Sequence, residues 1–306
     1  MRQVNLTQKN SLIELYRFLF AFWVVFYHGY FFVETGHFNH GYLAVEFFFL
    51  LNGFFVEKSM KEYTEKPFFN GLFSFTWKRL KALNFTVIVG LVVFVIYRIV
   101  LPDLPQEPAF GYLWYLPQML PSFAVVFLVL KLVKSEKWSS IILLFFFILS
   151  CVLNWTVLDN WGLLRGIGCV SFGVVLARIP KLKLKPKNFN YNIIFMALLL
   201  CVIIALAYIE KTTLVIDYVM ICVLFPALIY FSSCIGMSFK PFNFLGSLSF
   251  GIYIYQIVLR LLSRLEWVTN DIYLMLILTA LVLADYFIKL WIKKSLKKRE
   301  LIEENK

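Results

Sequence analysis

Residues 12–32 read LIELYRFLFAFWVVFYHGYFF, an apolar run long enough to cross a bilayer as one helix. The run contains Arg17 and His28. Because ionisable side chains are costly inside a bilayer, each of the two is a candidate functional residue. Their separation of eleven positions is close to three helical turns, which places them on one face roughly 16 Å apart. One helix thus offers a cation near one membrane surface and an imidazole near the other, a geometry that suits a charged, elongated ligand.

The composition of the chain excludes an ordinary soluble domain. Of its 306 residues, 61% are hydrophobic, 19% are aromatic and 16% are charged, whereas a soluble fold needs more polar residues to cover its surface. Repeated apolar stretches of about 20 residues instead predict an all-α, polytopic membrane helical bundle. The first stretch lacks a short apolar core followed by a small-residue cleavage site, so we expect a retained span rather than a signal peptide.

The apolar stretches predict about ten transmembrane helices. Their expected positions are 12–32, 42–57, 80–101, 113–132, 138–157, 161–179, 191–209, 214–235, 243–262 and 270–292. Lys and Arg then concentrate in alternate loops and in the short C-terminal tail from residue 289 onward. Because basic loops stay in the cytoplasm, the pattern predicts a multi-pass protein of the cell membrane with both termini cytoplasmic. The net charge of +12 is thus a topology signal and does not indicate a nucleic-acid partner.

The loops are short, so residues 1–306 are predicted to be a single membrane-embedded domain with its core at about 12–292. The longest cytoplasmic stretch is expected at roughly 58–79. All five cysteines, Cys151, Cys169, Cys201, Cys222 and Cys234, fall within the predicted spans. None forms a C-x-x-C pair or lies near a His at metal-ligand spacing, so we expect small buried hydrophobic residues and no metal site.

His28 and Glu46 are the candidate catalytic residues. An imidazole can act as a general base near neutral pH, and a buried carboxylate needs a partner. An antiparallel helix hairpin would bring the start of the second span beside the end of the first, so His28 is the expected partner of Glu46. Two alternatives remain: His28 is an interfacial side chain bonded to a neighbour, and Glu46 forms a structural pair with an arginine.

Other ionisable residues are harder to place from the sequence. His37 and His40 are expected to be ordinary solvated loop residues. Asp217 lies near an outer boundary without an assigned role. Asp285, deep in the last span, is expected to pair with a buried arginine or tyrosine, or to be held neutral.

A group of basic residues marks the cytoplasmic side of the first and third spans. Arg17, Lys78, Arg79 and Lys81 together have the chemistry to bind phosphates. The alternative is that Arg17 extends to the lipid headgroups and that the other three are the usual basic flank of a span.

Several short motifs occur in a characteristic order along the chain. The pair Arg17 and His28 is followed by VEFFFLLNGF at residues 45–54, KRL at 78–80, LWYL at 113–116, RGIGCVSFG at 165–173 and LGSLSFGIY at 245–253. This ordered set resembles the acyltransferase family 3 integral membrane proteins over about residues 12–292. Three positions depart from the family pattern: Asn52 replaces a serine, Lys81-Ala82 replaces the end of an Arg-x-x-Arg motif, and Gln256 replaces a histidine common in relatives.

The resemblance implies a membrane O-acyltransferase, most simply an O-acetyltransferase. Such an enzyme takes its acyl group from cytoplasmic acetyl-CoA or another acyl-CoA and passes it to a hydroxyl of an extracytoplasmic carbohydrate or lipid-linked glycan. Arg17, Lys78, Arg79 and Lys81 would then hold the phosphates of acyl-CoA. His28 would be the general base or a transient acyl carrier, with Glu46 stabilising the imidazolium.

The same resemblance implies substrate-binding positions at Arg165, Asn52, Trp114 and Tyr253. Arg165 is expected near the outer end of the sixth span, where it would stabilise an oxyanion or bind the acceptor. Its structural alternative is a salt bridge to Asp159.

Two other kinds of protein fit the sequence. One is a transporter or flippase for a glycan or small solute, without acyl-transfer activity. The other is a non-catalytic partner in a polysaccharide-synthesis complex, which the departures at Asn52, Ala82 and Gln256 favour. The identity of the acceptor, the length of the acyl group and the oligomeric state do not follow from the sequence.

Overall fold

A computed structural model describes residues 10–28, 40–100, 115–156, 162–182, 189–207, 214–264, 266–268 and 270–304. Within these residues the chain forms helices joined by short connections. The helices are α1 (Ser11–Tyr27), α2 (Ala44–Thr64), α3 (Phe68–Val100), α4 (Tyr115–Leu132), α5 (Glu136–Thr156), α6 (Gly162–Arg178), α7 (Phe189–Ala207), α8 (Leu214–Val219), α9 (Phe225–Ile235), α10 (Lys240–Arg264) and α11 (Asp271–Glu304). A 3₁₀ turn (Gly41–Leu43) precedes α2, and a π-helical turn (Met220–Leu224) joins α8 to α9.

The helices are those of a membrane protein. Five segments in the described residues are long and apolar enough to cross a bilayer. They are Tyr115–Leu132, Glu136–Asn154, Leu214–Ile235, Lys240–Leu259 and Asp271–Ser295, and Asn192–Leu206 is a shorter apolar helix. Large apolar side chains also face outward, as at Val215, which is 70% exposed. Each of the ten predicted spans overlaps a helix, while the number that cross the membrane and the side on which the termini lie stay predictions.

The stretch 58–79, expected to be the longest cytoplasmic stretch, is mostly helical. Helix α2 continues to Thr64 and α3 already begins at Phe68, while the side of the membrane on which the stretch lies stays a prediction. Of the charged residues in this stretch, Glu65 and Lys66 lie in the connection, and the others lie within α2 or α3. The physical reason is that isolated charges do not end a helix when their side chains reach solvent.

Helices α1 and α10 run side by side in the same direction. The Ser11 hydroxyl donates to Asn243 Oδ1 at 3.0 Å, and three residues further along each helix Glu14 packs against Gly246. Beyond this point Ala21 and Val25 share a buried cluster with residues of α10. The two helices thus keep a common register from the Arg17 end towards the His28 end.

Helices α2 and α6 are in backbone contact. A Cβ atom added at Gly53 would collide with the Val170 carbonyl oxygen, and one added at Gly173 would collide with the Leu50 carbonyl oxygen. Glycine is needed at both positions because only a missing side chain permits this approach. The contact brings the first turn of α2, with Glu46, against the first turn of α6, with Arg165.

We expect Gly53→Ala to destabilise the protein by about 1–3 kcal/mol, the usual range for overpacking. A loss of stability would be informative, because alanine is normally favoured over glycine within a helix by about 1 kcal/mol. Thermal unfolding in detergent measures the effect. Gly251→Ala is the matched control, because a Cβ there would meet Val282 at an ordinary 3.4 Å. Equal unfolding temperatures for the two variants would contradict the assigned contact.

Candidate functional site

A cavity of about 500 Å³ opens between α1, α2, α3, α4, α10 and α11. Three basic side chains from three different helices line it: Arg17, Arg79 and Lys289. The rest of the lining combines polar groups with apolar side chains. A volume of this size lies within the range of small-molecule sites in proteins, about 300–1,000 Å³.

Each of the three cations is held by neighbouring oxygen atoms. Arg17 NH1 donates to the two Glu14 carboxylate oxygens at 3.1 and 3.0 Å. Arg79 NH2 donates to the Ser59 hydroxyl at 2.8 Å. Lys289 Nζ donates to Asp285 Oδ2 at 2.7 Å. Cations that are held in position and face a cavity can bind an anionic ligand such as a phosphate group.

Polar and aromatic groups form another part of the lining. Asn52 Nδ2 donates a hydrogen bond to the Tyr115 hydroxyl, and the Tyr115 ring packs edge-on against Tyr253 at 5.9 Å between centroids. Helix α2 supplies Val45, Phe48 and Asn52 from one helical face. The cavity therefore offers charge from its basic residues and a mixed apolar and hydrogen-bonding surface from the others.

The expected phosphate-binding residues are only partly brought together. Arg17 and Arg79 line the cavity, whereas Lys78 is exposed and lies over the Tyr63 ring at 5.9 Å. The side chain of Lys81 and all of Trp114 lie outside the described residues. Of the expected substrate-binding residues, Asn52 and Tyr253 line the cavity.

Glu46 has a different partner from the one expected. Its side chain is fully buried, and the Arg165 guanidinium donates to its Oε1 atom. Arg165 also donates to the Tyr42 carbonyl at 3.3 Å. The alternative of a structural pair with an arginine thus describes Glu46, whose partner is Arg165. The expected alternative for Arg165, a salt bridge to Asp159, falls on a residue outside the described part of the chain. A guanidinium compensates a desolvated carboxylate more fully than a neutral imidazole does.

His28 lies at the C-terminal end of α1. Its backbone N–H bonds to the Val24 carbonyl at 3.2 Å, and its half-buried ring contacts the Tyr27 ring at 5.2 Å between centroids. Among the residues that the structure describes, those around the cavity do not include His28. The cavity thus starts at the Arg17 end of α1 and stops short of the imidazole.

His40 was expected to be solvated, and this was wrong. Its side chain is fully buried and its Nδ1 atom lies 3.1 Å from Asp217 Oδ1. The Tyr42 hydroxyl donates to the other Asp217 oxygen. The 3₁₀ turn that starts α2 carries His40 into the bundle, where Asp217 needs a polar partner. Because Tyr42 also contacts Arg165, the two buried acids belong to one network.

Asp285 joins three helices next to the cavity. The Tyr255 hydroxyl donates to Asp285 Oδ1 at 3.1 Å, which confirms the expected pairing with a tyrosine. The Thr86 hydroxyl donates to the same oxygen at 3.2 Å, and Lys289 is its ionic partner. Sequence reasoning missed Lys289 because it counted this residue with the basic tail. The available signal was the i, i+4 spacing of Asp285 and Lys289 on one helix.

The five cysteines lie in described helices and differ in their exposure. Cys151 and Cys169 are buried, Cys222 and Cys234 are half-buried, and Cys201 is exposed on the apolar surface. Exposure of Cys201 corrects the expectation that all five are buried. Across the described ranges, no three His, Cys, Asp or Glu side chains cluster in a way that could hold a metal ion.

Comparison with known proteins identifies a family for this chain. A family model described as an acyltransferase domain matches residues 10–289. No curated protein and no solved structure matched the chain. Together with the apolar helices, the family match defines the class of the protein as a membrane-associated acyltransferase. The chain belongs to acyltransferase family 3.

Proposed function

We propose that the protein is an O-acyltransferase of the cell membrane, most simply an O-acetyltransferase. Its donor is cytoplasmic acyl-CoA, and its acceptor is a hydroxyl of an extracytoplasmic carbohydrate or glycolipid. The observation that carries this proposal is the cavity in which Arg17, Arg79 and Lys289 converge from three helices. In this arrangement the termini and the basic residues lie on the cytoplasmic side, and His28 lies towards the opposite side.

The charge distribution of the cavity suits the donor. Coenzyme A carries its phosphates at one end and a long, nearly neutral pantetheine arm at the other. The three basic side chains supply charge-assisted hydrogen bonds for the phosphates. The aromatic and amide groups around Tyr115 and Asn52 suit the neutral arm. Arg17 and His28 share one helix, so the length of α1 sets the distance that the donor must span, roughly 16 Å.

His28 is the general base of the proposed reaction. An imidazole can take the proton of the acceptor hydroxyl near neutral pH, which makes its oxygen a better nucleophile. The donor supplies a thioester carbonyl, whose C–S bond breaks as the new C–O ester bond forms, and coenzyme A leaves as the thiol.

Glu46 and Arg165 support this step as a pair. Glu46 Oε2 has no hydrogen-bond partner among the described residues, and we assign it to the imidazolium that forms on His28. Arg165 fixes the Glu46 carboxylate through the other oxygen.

Acyl transfer itself tests the proposal. Membranes that contain the protein are given acetyl-CoA labelled in the acetyl group together with surface glycans, and ester-linked label on the glycan is measured by mass spectrometry. Membranes without the protein are the control. Transport of an unmodified glycan or solute, with no ester formed, would instead establish the transporter alternative. Failure of the purified protein to bind coenzyme A would favour a non-catalytic partner.

We expect Lys289→Ala to weaken coenzyme A binding about tenfold, because one charge-assisted hydrogen bond contributes about 1.5–3 kcal/mol. Isothermal titration of the purified protein measures the dissociation constant. Lys289→Arg should restore most of the affinity, since it keeps the charge. Lys293→Ala is the matched control, because Lys293 is exposed on the same helix. Wild-type affinity in Lys289→Ala would remove this residue from the phosphate site.

A further inference from the structure

Helix α10 carries a line of polar side chains that leads away from the cavity. Ser249, Tyr253 and Gln256 follow one another at intervals of four and three residues, which places them on one helical face. Ser249 and Tyr253 line the cavity. Gln256 lies one helical turn beyond them and is fully buried. The line therefore starts in the cavity and continues into the interior of the bundle.

The packing of α1 on α10 fixes the depth of this line. Ser11 bonds to Asn243, Glu14 packs against Gly246, and both helices rise by about 1.5 Å per residue. Continuing this register places Gln256 opposite Val24. Gln256 thus lies at a depth between Arg17 and His28, where the cavity ends and the path to the imidazole must continue.

Two hydrogen-bonding atoms on this line lack a protein partner. Gln256 Nε2 donates to the Tyr253 carbonyl at 2.8 Å, but Gln256 Oε1 has no hydrogen-bond partner within the described part of the chain. The Tyr253 hydroxyl likewise has no acceptor for its proton there, although the residue is only 6% exposed. An unpaired buried polar group costs about 1–3 kcal/mol, so two of them one turn apart indicate a site for a polar ligand.

The two atoms define the chemistry of that ligand. The Tyr253 hydroxyl is a donor that can serve a carbonyl oxygen, and Gln256 Oε1 is an acceptor that requires an N–H group. A secondary amide presents both groups. The residues next to them on α10 include Ile252, Ile254 and Ile257, which are apolar and buried. The site thus suits a neutral chain that contains amide groups.

We propose that Tyr253 and Gln256 bind the pantetheine arm of the acyl donor through its amide groups. The Tyr253 hydroxyl donates to an amide carbonyl, and Gln256 Oε1 accepts from an amide N–H. This inference rests on the proposed function, because it takes acyl-CoA as the donor. In this proposal Gln256 binds the arm beyond the end of the cavity, on the side of His28.

Two ligands that share the adenosine, its 3′-phosphate and one 5′-phosphate, but differ in the arm, separate this role from the phosphate site. Coenzyme A has the pantetheine amides, whereas adenosine 3′,5′-bisphosphate lacks the whole arm and the second 5′-phosphate. We expect Gln256→Leu and Tyr253→Phe each to weaken coenzyme A binding about tenfold, the size of one lost hydrogen bond with its partner left unpaired. Binding of adenosine 3′,5′-bisphosphate should not change. Isothermal titration in detergent measures both constants.

A matched control and a stability measurement exclude a purely structural effect. Gln118→Leu makes the same chemical change at a half-buried position of α4, away from this line, and should bind both ligands as the wild type does. Without ligand, Gln256→Leu should unfold close to the wild-type temperature, because it removes an oxygen that lacks a partner along with the hydrogen bond from Nε2 to the Tyr253 carbonyl. A lower unfolding temperature together with equal weakening of both ligands would overturn the assignment.

The remaining outcomes are also distinct. If Gln256→Leu and Tyr253→Phe bind coenzyme A with wild-type affinity, the two atoms are satisfied by water and the assignment is wrong, while the donor proposal stands. If the wild-type protein binds neither ligand, the donor proposal itself fails.

Discussion

His28→Ala is expected to lower the rate of acyl transfer about a thousandfold, within the range of about 10²–10⁴ that a general base contributes. The imidazole ends α1 on the face it shares with Arg17, and nothing in the proposed reaction replaces it as a proton acceptor. Initial rates of ester formation at saturating acetyl-CoA and acceptor measure the loss. His28→Gln should be equally impaired, because a carboxamide keeps hydrogen bonds but cannot accept the proton.

The same variant should leave donor binding intact. Arg17, Arg79 and Lys289 lie at the other end of the site, so the coenzyme A dissociation constant of His28→Ala should match that of the wild type. This separation distinguishes a chemical role from a folding defect. A variant that transfers acyl groups at the wild-type rate would exclude His28 as the base.

Arg165→Leu is expected to reduce the free energy of unfolding by about 3–5 kcal/mol, because removing one partner leaves a buried charge uncompensated. The uncompensated charge would be that of Glu46, whose side chain is fully buried and whose Oε1 atom accepts from the guanidinium. Chemical unfolding in detergent, followed by tryptophan fluorescence, measures the change. We expect such a loss to appear also as poor recovery of folded protein from membranes.

The double variant Glu46→Gln/Arg165→Leu distinguishes the pair from the separate residues. Because it removes both charges, it should be more stable than Arg165→Leu alone. It should still transfer acyl groups slowly, since the assigned partner of the His28 imidazolium is gone. If the double variant is less stable by the sum of the two single losses, Glu46 and Arg165 do not act as a pair.

The sequence singled out the ionisable residues of α1 and α2, but it did not predict all of their partners. Arg17, His28 and Glu46 stand out because charge and imidazole are costly in an apolar run. The partner of Glu46 depends on which helix approaches α2. Gly53 and Gly173 decide this by permitting backbone contact with α6, and two single glycines in a long chain do not reveal that they meet.

Lys289 and His40 were missed for a related reason. A lysine at the end of an apolar span looks like an ordinary basic flank, and a histidine in a short loop looks solvated. Each instead pairs with a buried acid: Lys289 pairs with Asp285, and His40 pairs with Asp217. The pairing of His40 with Asp217 is a property of the packed bundle, because the two residues lie 177 positions apart in the chain. The pairing of Asp285 with Lys289 is local, and its i, i+4 spacing was visible in the sequence.

Lys289 lines the cavity. It also bonds to Asp285, whose hydrogen bonds connect α3, α10 and α11. An anion that draws the Lys289 ammonium towards itself therefore competes with Asp285 for the same proton donors. Occupancy of the cavity and the cohesion of these three helices are then thermodynamically linked, and each must change the other by the same factor. The affinity for the ligand and the stability of the contact among α3, α10 and α11 therefore change together.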